Sequence, residues 1–142
     1  CNAVKSEIER LGIGAQALIV PGLSAQELAP LYANAHLFLY PSLVENSPNI
    51  LLEAMAHGAA VLAGKHDPMP EFGADAVRYF DAFSVESMAQ EITAMLADET
   101  QIERLRARAR ERAAHYSWNE FTARVVSLYL SGAAVPLRNG SR

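Results

Sequence analysis

The chain has 142 residues, a net charge of −4, 51% apolar and 20% charged residues, and one cysteine, Cys1. That length suits one globular domain with a sizeable core. The acidic balance argues against a nucleic-acid partner, one cysteine allows no internal disulfide, and no apolar run approaches the roughly 18 residues of a spanning helix. The expected compartment is the cytoplasm.

Residues 3–11 read as a helix, with Val4, Ile8 and Leu11 on one face and Gly12 at its end. Residues 17–21, Ala-Leu-Ile-Val-Pro, read as a short buried strand closed by Gly22. Ser24 and Glu27 form a capping box, so a helix starts there, with Leu28, Leu31 and Tyr32 as its buried stripe. Pro30 inside that helix predicts a kink or a broken turn. His36 opens the next strand as a structural residue. Leu37-Phe38-Leu39-Tyr40 then has the length and aromatic content of a buried strand, ended by Pro41 and Ser42.

The stretch Glu45-Asn46-Ser47-Pro48-Asn49-Ile50-Leu51-Leu52-Glu53 follows. Ser47 is a good N-cap and Pro48 suits the first helical position, so a helix is predicted to begin there. The N–H groups of Asn49 and Ile50 then point from its open start. That end carries roughly half a positive charge, which suits a phosphate. Asn49, Glu53 and His57 stand four apart and form one polar stripe. The other positions are apolar, as in a helix packed into a core. Side chains lean toward a helix's start, so Glu53 should lean toward the loop of Glu45.

Gly58 should end this helix. Residues 59–63 are apolar throughout, as a parallel strand covered on both faces requires. The turn-rich loop 64–71 is a candidate pocket wall, and its Lys65 reads as a solvated surface residue. Residues 76–80 read as a last strand. Three helices follow. Ser84 caps the first, with Val85, Met88, Ala89, Ile92, Met95 and Leu96 at helical spacing. The second covers residues 99–114, with Ile102, Leu105 and Ala109 inward. Its arginines, Arg104, Arg106, Arg108, Arg110 and Arg112, spread around it as a solvated surface. The third opens on a capping box, Ser117 and Glu120, and its stripe of Trp118, Phe121, Val125, Leu128 and Tyr129 reads as core.

These pieces in this order resemble a known family. Pro41-Ser42, Glu45 with seven residues to Glu53, Ala54-Met55-Ala56-His57-Gly58 and Ala60-Val61-Leu62-Ala63 look like the donor-site signature of family 4 (group 1) retaining glycosyltransferases of the GT-B fold. Val20-Pro21-Gly22 and the Glu27-Leu28 helix upstream match too, as do Pro70-Glu71 and the Ser117-Trp118 helix downstream. The resemblance implies an α/β, Rossmann-like three-layer domain with a parallel sheet, the C-terminal half of a GT-B enzyme. Residues 1–131 would be the nucleotide-sugar (donor) binding domain, truncated at its N-terminus, and residues 132–142 a flexible tail. The missing N-terminal domain would hold the acceptor. The last helix would cross back to that domain, leaving apolar surface exposed without it.

By the same resemblance, Glu45 is the catalytic residue and binds the donor sugar's hydroxyls. The amides around Asn49 and Ile50 meet the sugar or the distal phosphate, and Glu53 binds the ribose hydroxyls. Relatives place a Gly-Gly pair before the equivalent of Glu71, where this chain has Pro68-Met69. Relatives also carry Gly-Phe-Gly where this chain has Asn46-Ser47-Pro48. Pro48 removes one N–H, and the side chains of Asn46, Ser47 and Asn49 are candidates to replace it. No Asp-x-Asp pair occurs, so no metal is expected. No cofactor is expected beyond the nucleotide diphosphate sugar, which is the donor substrate. The resemblance leaves open a peripheral membrane contact of the full-length protein. The fragment alone should be inactive. Alternatives are a non-catalytic nucleotide-binding Rossmann-like module, a GT-B epimerase and a GT-B phosphorylase.

Overall fold

Three apolar segments pair as parallel strands in the computed structural model, which describes residues 2–132. They are β1 (Phe38–Tyr40), β2 (Val61–Gly64) and β3 (Arg78–Phe80), in the order β1-β2-β3. Tyr40 aligns with Ala63, and Ala63 with Tyr79. Seven helices accompany them among the described residues: α1 (Asn2–Leu11), α2 (Ala25–Asn34), α3 (Asn49–Ala56), α4 (Met69–Gly73), α5 (Val85–Leu96), α6 (Glu99–Ala113) and α7 (Trp118–Ser131). A single 3-10 turn, Ala74–Ala76, joins α4 to β3, which is therefore shorter than residues 76–80 suggest.

The sheet is covered on both faces. Successive strand residues point to opposite sides. On β2, Val61 and Ala63 join one apolar cluster with Leu51, Ala54 and Met55 of α3 and Tyr32 of α2. Ala60 and Leu62 join the other, with Phe80, Met95 of α5 and Ile102 of α6. Helix α6 reaches both clusters, through Ala109 and Ala113 on one side and Ile102 and Leu105 on the other. This is the three-layer α/β arrangement expected from the sequence.

Helix ends follow the sequence in most places. Ser24 and Glu27 satisfy each other's backbone N–H groups as a capping box. Ser84 caps α5. Ser117 accepts from the Glu120 N–H at 3.4 Å, one half of the expected box. Gly58 ends α3 with φ +76°. Its N–H donates to the Met55 carbonyl and that of Ala59 to the Ala54 carbonyl, a Schellman motif. Pro30 does not interrupt α2, which runs through it.

Other expectations need correction. Residues 17–21 form no strand. No described strand offers them a ladder, and Leu18 is 87% exposed. Helix α1 forms as expected but buries no residue. Leu31 is exposed, leaving Tyr32 and half-buried Leu28 as the inner stripe of α2. On α5, Val85, Ala89 and Leu96 face solvent, while Met95 is buried and Met88 and Ile92 pack beside it. The α7 stripe is not core. Trp118, Phe121, Val125, Leu128 and Tyr129 are all exposed, because no described element buries that helix. The Trp118 and Phe121 rings pack edge-to-face on each other instead. Residues 133–142, most of the expected tail, lie outside the described residues.

The arginines of α6 do more than meet water. Arg106 donates to the Ala35 carbonyl at 2.9 Å, tying α6 to the end of α2. Arg112 donates to the Phe72 carbonyl at 2.9 Å and the Glu71 carbonyl at 2.8 Å, tying α6 to α4. Tyr116 stacks on Phe72 and takes a further bond from Arg112.

Close packing around α4 gives the first prediction. A Cβ on Gly73 would sit 2.5 Å from the Tyr79 hydroxyl, 2.7 Å from Val77 Cγ2 and 2.9 Å from Val77 Cβ. Val77 is buried, so the strain has no cheap outlet. Gly73→Ala should destabilise the domain by about 1–3 kcal/mol, read by urea unfolding.

Candidate functional site

Parallel strands bring their carboxyl ends to one edge of the sheet. The loops after β1 and β2 meet there. A Cβ on Gly64, at the end of β2, would lie 3.2 Å from the Ser42 carbonyl oxygen. The β1 loop carries Glu45 and leads into α3.

Glu45 is held by two hydroxyls. Tyr40, the last residue of β1, donates its phenolic O–H to Glu45 Oε1 at 2.5 Å. Ser42 Oγ donates to the same oxygen at 2.8 Å. Oε2 takes no protein partner among the described residues. The Tyr40 bond, then the Ser42 bond, hold the Glu45 carboxyl below the usual carboxylate range, with the charge of His66 adding to them. Burial, then the bond to Glu45, pushes the Tyr40 hydroxyl up strongly. Glu45 is thus a fixed, ionised acceptor with one oxygen left over.

The start of α3 differs by one residue from the expected cap. Pro48 is the N-cap, with φ −81° and ψ 65°, and makes no side-chain cap bond. Its ring is fully buried, so packing sets its backbone angles and Asn49 becomes the first helical residue. Ser47 contributes its carbonyl rather than its hydroxyl, accepting the Asn49 N–H at 2.9 Å. The Asn49 amide is therefore not free. The N–H groups of Ile50 and Leu51 find no acceptor among the described residues. Ile50 is 46% exposed. An anion can approach the Ile50 amide, where the helix dipole adds to it; Leu51 has no solvent exposure, so its unpaired N–H lies behind the surface.

Glu53 lies one turn on, exposed and without a hydrogen-bond partner among the described residues. Its charge bears on Tyr32, whose hydroxyl is pushed up first by burial and then by Glu53. Tyr32 in turn bears on Tyr40, the residue that holds Glu45. Phe38 packs against both tyrosine rings, and the His57 ring stacks on Tyr32. An aromatic floor therefore links the surroundings of the two acids. Asn46, Ser47 and Asn49 are exposed around the helix start. Lys65 is exposed, and its backbone N–H continues the β2–β3 ladder to the Phe80 carbonyl. The end of loop 64–71 is helical, since α4 begins at Met69. Two surface hollows elsewhere lie along α6, lined by Glu99, Glu103 and Arg104 and by Asp75, Gln101 and Arg108; neither includes a residue of this edge.

Sequence reading missed Tyr40 as part of the site; it named Ser42 only within the donor-site signature and His66 only within the candidate pocket wall, and gave neither side chain a role. Tyr40 read as one more apolar strand residue. Its signal was position: the final inward residue of a strand, five before an acid.

A solved structure shares this arrangement. Sucrose-phosphate synthase from Thermosynechococcus elongatus superposes with a TM-score of 0.84 at 21% identity, over 92% of this chain and 33% of that one. The domain thus has the Rossmann-like α/β fold of a GT-B glycosyltransferase half. The family described as glycosyl transferases group 1 matches residues 2–114. O-antigen chain mannosyltransferase B of Escherichia coli is 32% identical over 104 residues, 73% of this chain and 27% of that protein. D-inositol 3-phosphate glycosyltransferase of Segniliparus rotundus is 31% identical over 146 residues, 96% of this chain and 32% of that protein. The chain belongs to the group 1 glycosyl transferases. It spans about a third of the length of the curated relatives it matches.

Proposed function

We propose that this chain is the donor-binding half of a retaining, metal-independent glycosyltransferase. The whole protein would move a sugar from a nucleotide diphosphate sugar to an acceptor. The observation that carries this reading is the unpartnered amide of half-exposed Ile50 at the start of α3, five residues after a Glu45 with one carboxylate oxygen tied down and one free.

The chemistry asks for that arrangement. Transfer breaks the anomeric C–O bond and leaves its electron pair on the diphosphate. Stabilising that developing negative charge is the largest service the protein gives. The amide of half-exposed Ile50 supplies it together with the α3 dipole, to which the buried Leu51 N–H adds from behind. Glu45 Oε2 accepts from donor-sugar hydroxyls and faces the positive charge that builds on the sugar. Glu53 accepts from the ribose hydroxyls. Asn46, Ser47 and Asn49 offer side chains where Pro48 has no N–H. Relatives named mannosyltransferases make mannose the first sugar to test. A separate N-terminal half would bind the acceptor, so residues 1–142 alone would bind donor without turning it over. The compartment fitting such a donor is the cytoplasm, with any membrane contact made peripherally. No helix among the described residues is long and apolar enough to cross a membrane.

Substitution of Glu53 tests the ribose role. Glu53→Gln should weaken nucleoside diphosphate binding about tenfold and leave inorganic pyrophosphate binding unchanged. Heat titration with UDP, GDP and ADP, each beside pyrophosphate, reads both. Equal weakening of both ligands would remove Glu53 from the ribose.

A further inference from the structure

The two loops of the site are tied together by a side chain that the roles above leave unused. His66 follows β2. Its Nε2 lies against the Ser42 carbonyl oxygen, and its Nδ1 lies 2.9 Å from the Asp67 carbonyl oxygen. A carbonyl oxygen only accepts, so both ring nitrogens must donate. Only the imidazolium carries two N–H groups. Ser42 is also the residue whose hydroxyl holds Glu45. One residue therefore separates the ring from the acid.

Gly64 makes the approach possible. A Cβ there would sit 2.9 Å from Ala82 Cβ, 3.2 Å from the Ser42 carbonyl oxygen and 3.4 Å from the His66 ring. The charged groups that bear on the ring are Asp67 and Glu45, both anionic. Lys65, on the same loop, is exposed.

We propose that His66 is a positioning residue for Glu45: as an imidazolium it pins the Ser42 backbone, aims the Ser42 hydroxyl at Glu45, and adds a positive charge to the donor edge of the sheet. The consequence for donor binding rests on the function proposed above. The sign of its pH dependence follows from its partners. The Ser42 carbonyl first, then the Asp67 carbonyl, raise the proton affinity of His66 above the ordinary histidine range, against a smaller opposing cost of burial. The folded value lies above the unfolded one. The tether's contribution is therefore complete below about pH 6.5 and is lost as pH rises through the folded value.

The test follows ring 15N and side-chain carboxyl 13C signals of the 142-residue chain from about pH 4 to 9, with GDP and UDP titrations at each end. Both His66 nitrogens should hold imidazolium shifts well above the pH at which a free histidine loses its proton. In His66→Ala the Glu45 carboxyl should titrate at higher pH. Affinity for the nucleotides should fall several-fold with rising pH in the wild type and lie flat in the variant. His66→Gln restores a donor to Ser42 but no charge, so it should recover part of the affinity and stay flat. A His66 that titrates like a free histidine overturns the proposal, and that reading needs no variant to fold. So does a Glu45 unmoved in His66→Ala. If no nucleotide binds at any pH while the ring and carboxyl signals behave as expected, the donor-binding reading fails and the tether stands.

Discussion

Replacing Glu45 by Gln is expected to lower affinity for a nucleotide sugar by about ten- to a hundredfold, the loss of a hydrogen bond to a charged acceptor. Heat titration with a GDP- or UDP-linked hexose, against the matching free nucleotide, reads the effect. The fold should survive. The Gln carbonyl can still accept from Tyr40 and Ser42, which meet Glu45 at 2.5 and 2.8 Å. What is lost is the charge and the second acceptor oxygen. The deficit should appear with the sugar nucleotide and shrink with the free nucleotide, since Glu45 is assigned to the sugar. The sugar-dependent part of wild-type binding should persist to lower pH than an unassisted carboxylate would allow, because the Tyr40 and Ser42 bonds favour ionised Glu45. The same shift means that Glu45's contribution to stability is present above the unfolded carboxylate value and is lost only as pH falls through the lower folded one.

The second large effect concerns the helix that carries the site. Leu51→Ala should cost about 2–5 kcal/mol of stability, read by urea unfolding with an unchanged slope. Leu51 has no solvent exposure and packs in the cluster that includes Val61 and Ala63 of β2 and Ala109 of α6. Truncation leaves a cavity between α3 and the sheet. Ile50→Ala, one position away and half exposed, is the control and should cost far less. The comparison matters for function because Leu51 fixes α3, and α3 fixes both the open Ile50 amide and Glu53. A total domain stability of about 5–15 kcal/mol leaves little room for such a loss.

Local chemistry was legible in the sequence where one element settled its own fate. The span of α3 followed from its apolar positions and from Gly58, and the Schellman ending is where that glycine put it. β1 and β2 were legible as apolar runs, and residues 59–63 called for a parallel strand covered on both faces, while the three-layer fold itself was what the family resemblance implied. The helix start was legible to within one residue. Ser47 and Pro48 have the right chemistry for a cap, but burial of the Pro48 ring took that residue out of helical geometry, so the reachable free amide moved to Ile50.

What stayed hidden depended on neighbours. An apolar run at residues 17–21 does not reveal whether a ladder partner stands beside it. The α7 stripe shows which side of a helix is apolar, not what covers it. The Tyr40 and Ser42 bonds to Glu45 needed the turn of the β1 loop. The His66 contact spans 24 positions and exists because the parallel register sets Tyr40 beside Ala63, which brings the two following loops together. Arg106 and Arg112 looked like surface charge because their acceptors, the carbonyls of Ala35, Glu71 and Phe72, carry no mark in the sequence.

The account's central claim is that a diphosphate sits on the open N-terminal end of α3, at the Ile50 amide, between two acids. Backbone amide shifts of the 15N-labelled chain, followed while GDP or UDP is added to millimolar levels, test it most directly. The account predicts that Ile50 moves first and furthest, with Leu51, Glu45 and Glu53 following and α6 silent. Saturable shifts confined to another surface, or none at all, would contradict it.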